Sequence, residues 1–461
     1  MEELIVLIVL CLLLLYAYKS SGRLSAPSCM SIMVFALLYL WNRFGILKYS
    51  YDFDVRHALY VSLVLLCFII SFKKGMRRIK RSRIPVQTGV VDIKFVVLIS
   101  FGGLLGGMLL ALDTVNSIGI GAYLDGSFNM VRDLYVDVER KTGFFGQIGS
   151  VLYGLSLPAV ILTARIVITK SASARQCKLL LKILIALGLI FFLVSLTSGG
   201  RQSIIEYILC IVAVLIYTGK SEVDRKLIFK LKIFFMVAFV FMSMYFSKVI
   251  ESRALEGIAN EDHIFAVFKV EYKEWYLFLK DYVPASLSLF LAVLHCYYPY
   301  NLGTLAVYID KVGLSTGLMY GGNQAEHFLR QLRKIGLEWP FHVRYESLLD
   351  VFDGNMNANT VLGGMIIDFG TIGTLFVVSV LGWFAGKYFG LHIYKKSLVG
   401  FWFTCIIFIF IIHGTMYSPF LETLLLYGLM WSFMLKNRLY KKTSSVLNSA
   451  PPSMIVNAPV A

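Results

Sequence analysis

The residues best suited to chemistry begin with an arginine in a short turn. Positions 198–203 read Ser-Gly-Gly-Arg-Gln-Ser and join two apolar runs. Gly199 and Gly200 let the backbone approach a ligand closely, and the Arg201 guanidinium is the side chain whose planar fork matches a phosphate or diphosphate. Each charge-assisted hydrogen bond of that kind contributes about 1.5–3 kcal/mol. The structural alternative for Arg201 is an interfacial anchor that snorkels toward lipid headgroups. Glu206, about one helical turn further along, is placed to pair with Arg201 and orient it. A second constellation opens the run Asn-Thr-Val-Leu-Gly-Gly-Met-Ile-Ile-Asp-Phe-Gly-Thr-Ile-Gly, residues 359–373. Asn359 and Asp368 place an amide and a carboxylate where lipid satisfies neither, so this run is expected to line a protein-walled site. They stand roughly two and a half helical turns apart and need not share a face. Their structural alternatives are a helix N-cap for Asn359 and a hydrogen bond inside the bundle for Asp368.

A polar segment at 249–358 precedes that run and carries Arg253, His327, Arg330, Arg333 and Arg344. Taken singly, each reads as part of a solvated face; as a set they describe an outward cavity that prefers anions. Residues 325–334 read as a helix with His327, Arg330 and Lys334 on one side and Phe328, Leu329 and Leu332 on the other. The loop 113–144 adds Arg132, Asp133, Asp137, Glu139 and Arg140, with ten residues between Arg132 and Gly143. Asp52 and Asp54, flanking Phe53, form a triplet that a nucleotide-sugar metal site would use, and His413 reads as a histidine inside the bundle.

These residues need a scaffold, and composition names it. The chain has 461 residues, is 58% hydrophobic and only 16% charged, with a mean hydropathy of +0.73. It reads as an all-α integral membrane protein. About eleven apolar runs (ten to fourteen) approach spanning length. They fall near 4–18, 28–41, 57–72, 93–112, 145–164, 179–197, 203–218, 231–248, 369–386, 400–416 and 421–435. Residues 1–248 therefore form an N-terminal bundle of about eight spans, 249–358 one large helical block outside the membrane, 359–442 the C-terminal spans, and 443–461 a Ser/Pro/Ala-rich tail that reads as disordered. The net charge of +16 does not point to nucleic acid. Its basic residues gather in short loops, such as Lys73 to Arg83, Lys220 to Lys232 and Lys436 to Lys442, which the positive-inside rule puts in the cytoplasm. That places the N-terminus and the large block outside and the C-terminus inside. The acidic Glu2 and Glu3 agree, and argue against a cleaved signal peptide. Of seven cysteines only Cys296 falls in an expected external segment, and no Cys/His spacing suggests a metal site.

The pattern of Ser-Gly-Gly-Arg-Gln at the outer start of a span, a large outer block after the next span, and an asparagine-led run ending Asp-Phe-Gly-Thr-Ile-Gly resembles the bacterial O-antigen polymerases, or oligosaccharide repeat-unit polymerases. These share a membrane glycosyltransferase fold with the O-antigen ligases. The likeness covers roughly residues 190–390; the first two hundred residues match only in hydropathy. It implies a glycosyltransferase of the bacterial inner membrane, working on the periplasmic face without a cofactor or metal. Donor and acceptor would be undecaprenyl-diphosphate-linked oligosaccharides, and a chain-length regulator protein would be a partner. Arg201 would grip the diphosphate, and Arg132 with Gly143 would match an arginine-x10-glycine pattern of some members. Asn359 and Thr360 stand where ligases carry a histidine followed by asparagine, which favours polymerase over ligase. The expected catalytic set is Arg201, Asp368, Asn359 and His327; the expected substrate-binding set is Arg132, Arg140, Arg253, Arg330, Arg333 and Arg344. Asp368, His327 and Glu139 are the candidate bases for the acceptor hydroxyl. A lipid-linked oligosaccharide flippase, a transferase using polyprenyl-phosphate sugars and an assembly scaffold are the competing classes. The one-sided block argues against the first and the outer arginines against the last.

Overall fold

The computed structural model describes residues 2–49, 52–82, 91–119, 143–198, 202–219, 270–283, 285–312, 319–320, 360–415 and 422–439, with a few isolated positions besides. The described chain is almost wholly helical. In chain order the helices are α1 (Glu2–Ser21), α2 (Pro27–Phe44), α3 (Val55–Arg81), α4 (Ile93–Ile118), α5 (Phe144–Tyr153), α6 (Ser156–Thr169), α7 (Ala174–Thr197), α8 (Gln202–Tyr217), α9 (Glu274–Lys280), α10 (Ala285–Tyr297), α11 (Tyr300–Val307), α12 (Val361–Lys395), α13 (Leu398–His413) and α14 (Thr423–Leu435). Among the described residues, six helical stretches are long and apolar enough to cross a membrane: α1, α3, α4, the joined α5–α6 run Phe145–Thr169, α7 and α12. Helices α8 and α13 are apolar but shorter. The all-α membrane architecture therefore holds at this coarser level, while the fuller count of about eleven is not reached. Helix α2 occupies an expected span with Asn42 and Arg43 in its last turn, and residues 231–248 lie outside the described residues.

Helices α3 and α12 form the most intimate pair, and small residues make it possible. A Cβ on Gly382 or Gly386 would run into the Phe68 or Phe72 carbonyl of α3, and one on Gly75 would strike the Trp383 carbonyl of α12. Where lipid is as apolar as leucine, such close backbone approach supplies the packing that holds helices together.

Hydrogen bonds sort the helix ends onto two faces. On one, Lys395 Nζ donates to the Ser82 carbonyl at 2.9 Å and the Asp92 N–H to the Leu439 carbonyl at 3.1 Å. On the other, Lys273 Nζ donates to the Arg43 carbonyl at 2.6 Å, Asn42 Nδ2 to the Pro299 carbonyl at 3.1 Å and Asn301 Nδ2 to the Thr415 carbonyl at 3.2 Å. The basic end of α3 and the polar block are thus at opposite ends of the bundle.

The block is not purely helical. Strand β1 (Leu47–Tyr49) pairs antiparallel with β2 (Val270–Tyr272), Lys48 opposite Glu271, tying the segment between α2 and α3 to the block. Around this ribbon Ile46, Tyr49, Val270, Tyr276, Cys296 and Tyr300 make a small separate core. Cys296 is therefore buried rather than accessible, and burial pushes its thiol up to about 12. Of the expected helix 325–334, only Leu329 is described, and it is buried.

Candidate functional site

The run 359–373 folds into the start of α12, but the cap is Thr360 rather than Asn359: its Oγ accepts from the Gly363 N–H at 3.0 Å. A hydroxyl one residue later satisfies the same orphan donor that an asparagine would. The helix then breaks at Gly370, whose φ of 70° and ψ of 178° only glycine adopts easily. Such a break frees carbonyls at membrane depth, and each must find a new donor. Other groups supply them. Met319 N–H donates to the Ile367 carbonyl at 3.3 Å, Tyr320 N–H to the Asp368 carbonyl at 2.9 Å, Tyr60 Oη to the Thr371 carbonyl at 2.9 Å and Thr374 Oγ to the Gly370 carbonyl at 2.7 Å. Asp368, fully buried, sits at the end of the first half-helix. A discontinuous helix whose freed carbonyls are met from a separate segment is the local architecture on which membrane proteins commonly build binding sites.

A second polar cluster joins α8 to α13. Gln202 Nε2 donates to Glu206 Oε1 at 3.0 Å, and His413 Nε2 lies 3.5 Å from the same oxygen. Glu206 and His413 are both buried, at the start of one helix and the end of the other. In this setting a carboxylate needs paired donors, and these two side chains provide them.

Beside these groups lies a cavity of about 400 Å³. Its walls are almost entirely apolar: α2 contributes Val34 and Leu38, α3 Val61 and Leu65, α12 Met365 and α13 Phe410. Thr360, Gly414 and Thr415 close the end nearest the block, while Tyr388, Phe403 and Phe433 lie at the other end. Compared with known proteins, the chain matches no family model, no curated protein and no solved structure.

The sequence-derived candidates fare unequally. Asp368 is in place beside the helix break, and Glu206 is buried with partners of its own. Arg201, Asn359, His327, Arg132, Arg140, Arg253, Arg330, Arg333 and Arg344 lie outside the described residues, as does Glu139. In the Asp52–Asp54 triplet, Asp54 and Phe53 have structural partners. Asp54 caps α3, its Oδ1 accepting from the Arg56 and His57 N–H groups, and Phe53 is buried against Phe35 and Tyr39. Among the described residues no group of three or more His, Cys, Asp or Glu has the geometry to hold a metal.

Sequence reasoning missed His57 and Asp310. His57 Nδ1 accepts from the Asp54 N–H at 3.1 Å, completing a capping box, and its Nε2 lies 3.0 Å from Asp310 Oδ2, out of ideal hydrogen-bond alignment. Asp310 occupies a π-helical turn, Tyr308–Val312, that continues α11. The Asp54-x-x-His57 spacing was a visible signal of the cap; nothing in the sequence joined it to Asp310.

Proposed function

We propose that this protein polymerises lipid-diphosphate-linked oligosaccharide repeat units by glycosyl transfer at the end of the bundle that carries the polar block. The observation that carries this reading is the apolar cavity, closed by Thr360, Gly414 and Thr415 at the end nearest the block. A polyprenyl tail fits such a wall, and it would deliver its diphosphate and sugars to the end that Thr360 and Thr415 close. On this reading Arg201 grips the departing diphosphate, and Arg132, Arg140, Arg253, Arg330, Arg333 and Arg344 bind the donor and acceptor. Fixed cations aimed at charge that develops on the leaving group lower the barrier directly. Asp368 holds the broken helix and its neighbours in register. On this reading the protein lies in a bacterial inner membrane, with the block, the acceptor and the N-terminus in the periplasm and the C-terminus in the cytoplasm.

The test is direct. Purified wild-type protein incubated with a lipid-linked repeat unit should give a ladder of polymers on a gel. Arg201→Lys should lose nearly as much activity as Arg201→Ala, about a hundredfold or more, because lysine keeps the charge but not the fork. Transbilayer movement of the lipid without any ladder would make the protein a flippase instead.

A further inference from the structure

We infer that Asp310 is the base that takes the proton from the acceptor hydroxyl, with His57 as the residue that positions it. The inference rests on the glycosyl-transfer reading above and supplies the group that reading lacks.

His57 is the first clue. It is only 3% exposed, yet it is flanked by two carboxylates, Asp54 on one ring nitrogen and Asp310 on the other. Its place three residues after the N-cap is one that glutamate or glutamine fills best while remaining in water. A buried histidine there does more than cap. Nδ1 stands 3.1 Å from the Asp54 N–H and 2.8 Å from Asp54 Oδ1, which leaves Nε2 as the atom that faces Asp310, 3.0 Å from its Oδ2.

Asp310 is the second clue. Unlike Asp368 and Glu206, which are closed off inside the bundle, it is 53% exposed on its side chain, so a hydroxyl can reach it. Its turn carries the extra residue of a π-helix, a geometry that recurs at functional sites. Tyr308, buried and packed against Gly363, fixes that turn to the first turn of α12. Among the charges nearby, Lys311 shares the turn, and Arg56 pairs with Asp54 Oδ2 at 2.8 Å while also feeling the Asp310 charge.

Position is the third. Val61, one turn along α3 from His57, lines the apolar cavity, as do Leu302 and Leu305 on the helix that runs into the Asp310 turn. Thr360 closes the same end. The carboxylate therefore stands at the end where the head of a lipid lodged in the cavity would emerge.

The step balances without an outside reagent. The acceptor oxygen forms its bond to the anomeric carbon as the bond from that carbon to the diphosphate breaks, and the leaving oxygen keeps the electron pair. Asp310 takes the hydroxyl proton and later returns it to water. The hydroxyl becomes acidic as its bond forms, which is when the carboxylate takes the proton.

The experiment uses the full-length purified protein and a lipid-linked repeat unit, with three readouts: the rate of ladder formation, binding of the same lipid followed by intrinsic fluorescence, and the melting temperature. Asp310→Asn should slow the ladder about a hundredfold or more while binding and melting stay at wild-type values. His57→Gln keeps the reciprocal cap but has no second nitrogen for Asp310. It should slow the ladder about tenfold and shift the pH profile of the rate, again without loss of melting temperature. An active wild type with an equally active Asp310→Asn overturns this inference alone, as does an Asp310→Asn that loses binding and activity together. A wild type that builds no ladder overturns the glycosyl-transfer reading and this one with it.

Discussion

At the scale of the residue, the informative groups are polar ones that burial has made expensive. His295 is the clearest case outside the spans. It is 1% exposed in the small core, its Nδ1 meets the Tyr49 hydroxyl, and a Cβ on Gly45 would overlap its ring. Burial, with the Lys273 cation adding to it, pushes its pKa down to about 3. An unfolded imidazole titrates near 6.5, so the unfolded segment binds the extra proton. The stability this neutral ring contributes is complete above about pH 6.5 and is lost as pH falls toward its folded value, amounting to about 2 kcal/mol by about pH 5. Hydrogen exchange in residues 270–300 should therefore rise between about pH 7 and about pH 5, and His295→Phe should flatten that rise; an unchanged slope in the variant assigns the effect to another group. Asp368, Glu206 and His413 were legible in the sequence because a polar residue in an apolar run stands out. The Glu206–His413 contact was not, since nothing in the sequence pairs α8 with α13. His57 and Asp310 went unread for the opposite reason: at the ends of runs, polar residues are ordinary.

At the scale of the element, α12 carries the argument. Its glycines do two different jobs, close approach to α3 at Gly382 and Gly386 and a backbone break at Gly370. Gly370→Ala must either strain a conformation that costs roughly 1–3 kcal/mol for a residue with a Cβ, or heal the helix and displace Met319 and Tyr320 from its carbonyls. Either way the melting temperature in detergent should fall, and ladder formation should fall with it. Gly386→Leu should cost more, because Phe72 and its carbonyl must move away, and it should lower expression as well. A Gly370→Ala protein of full stability and activity would make the break incidental. The long spans were legible because a run of about eighteen apolar residues has few other uses. The break was not, since Gly370 is one of several glycines in an apolar helix, and neither were β1 and β2, which at three residues each are too short to show a period.

At the scale of the whole molecule, the two faces of the bundle make orientation testable. Cys296 is unsuited to labelling because it is buried, so the reporters belong elsewhere. Tyr282 is 81% exposed in the block, and Lys74 is exposed at the basic end of α3. In an otherwise cysteine-free protein, an impermeant maleimide should label Tyr282→Cys in intact spheroplasts and Lys74→Cys only after permeabilisation; the reverse pattern overturns the proposed topology. The β1–β2 ribbon also has a consequence for synthesis. Tyr49 pairs with Val270, so roughly two hundred residues must leave the ribosome before the first strand meets its partner. At about 5–20 residues per second that is on the order of ten seconds or more, during which the edge of β1 waits with its backbone groups turned to water. A nascent chain of this protein is therefore most exposed to wrong pairing early in its insertion, and the arrival of β2 is the moment at which the segment between α2 and α3 becomes committed.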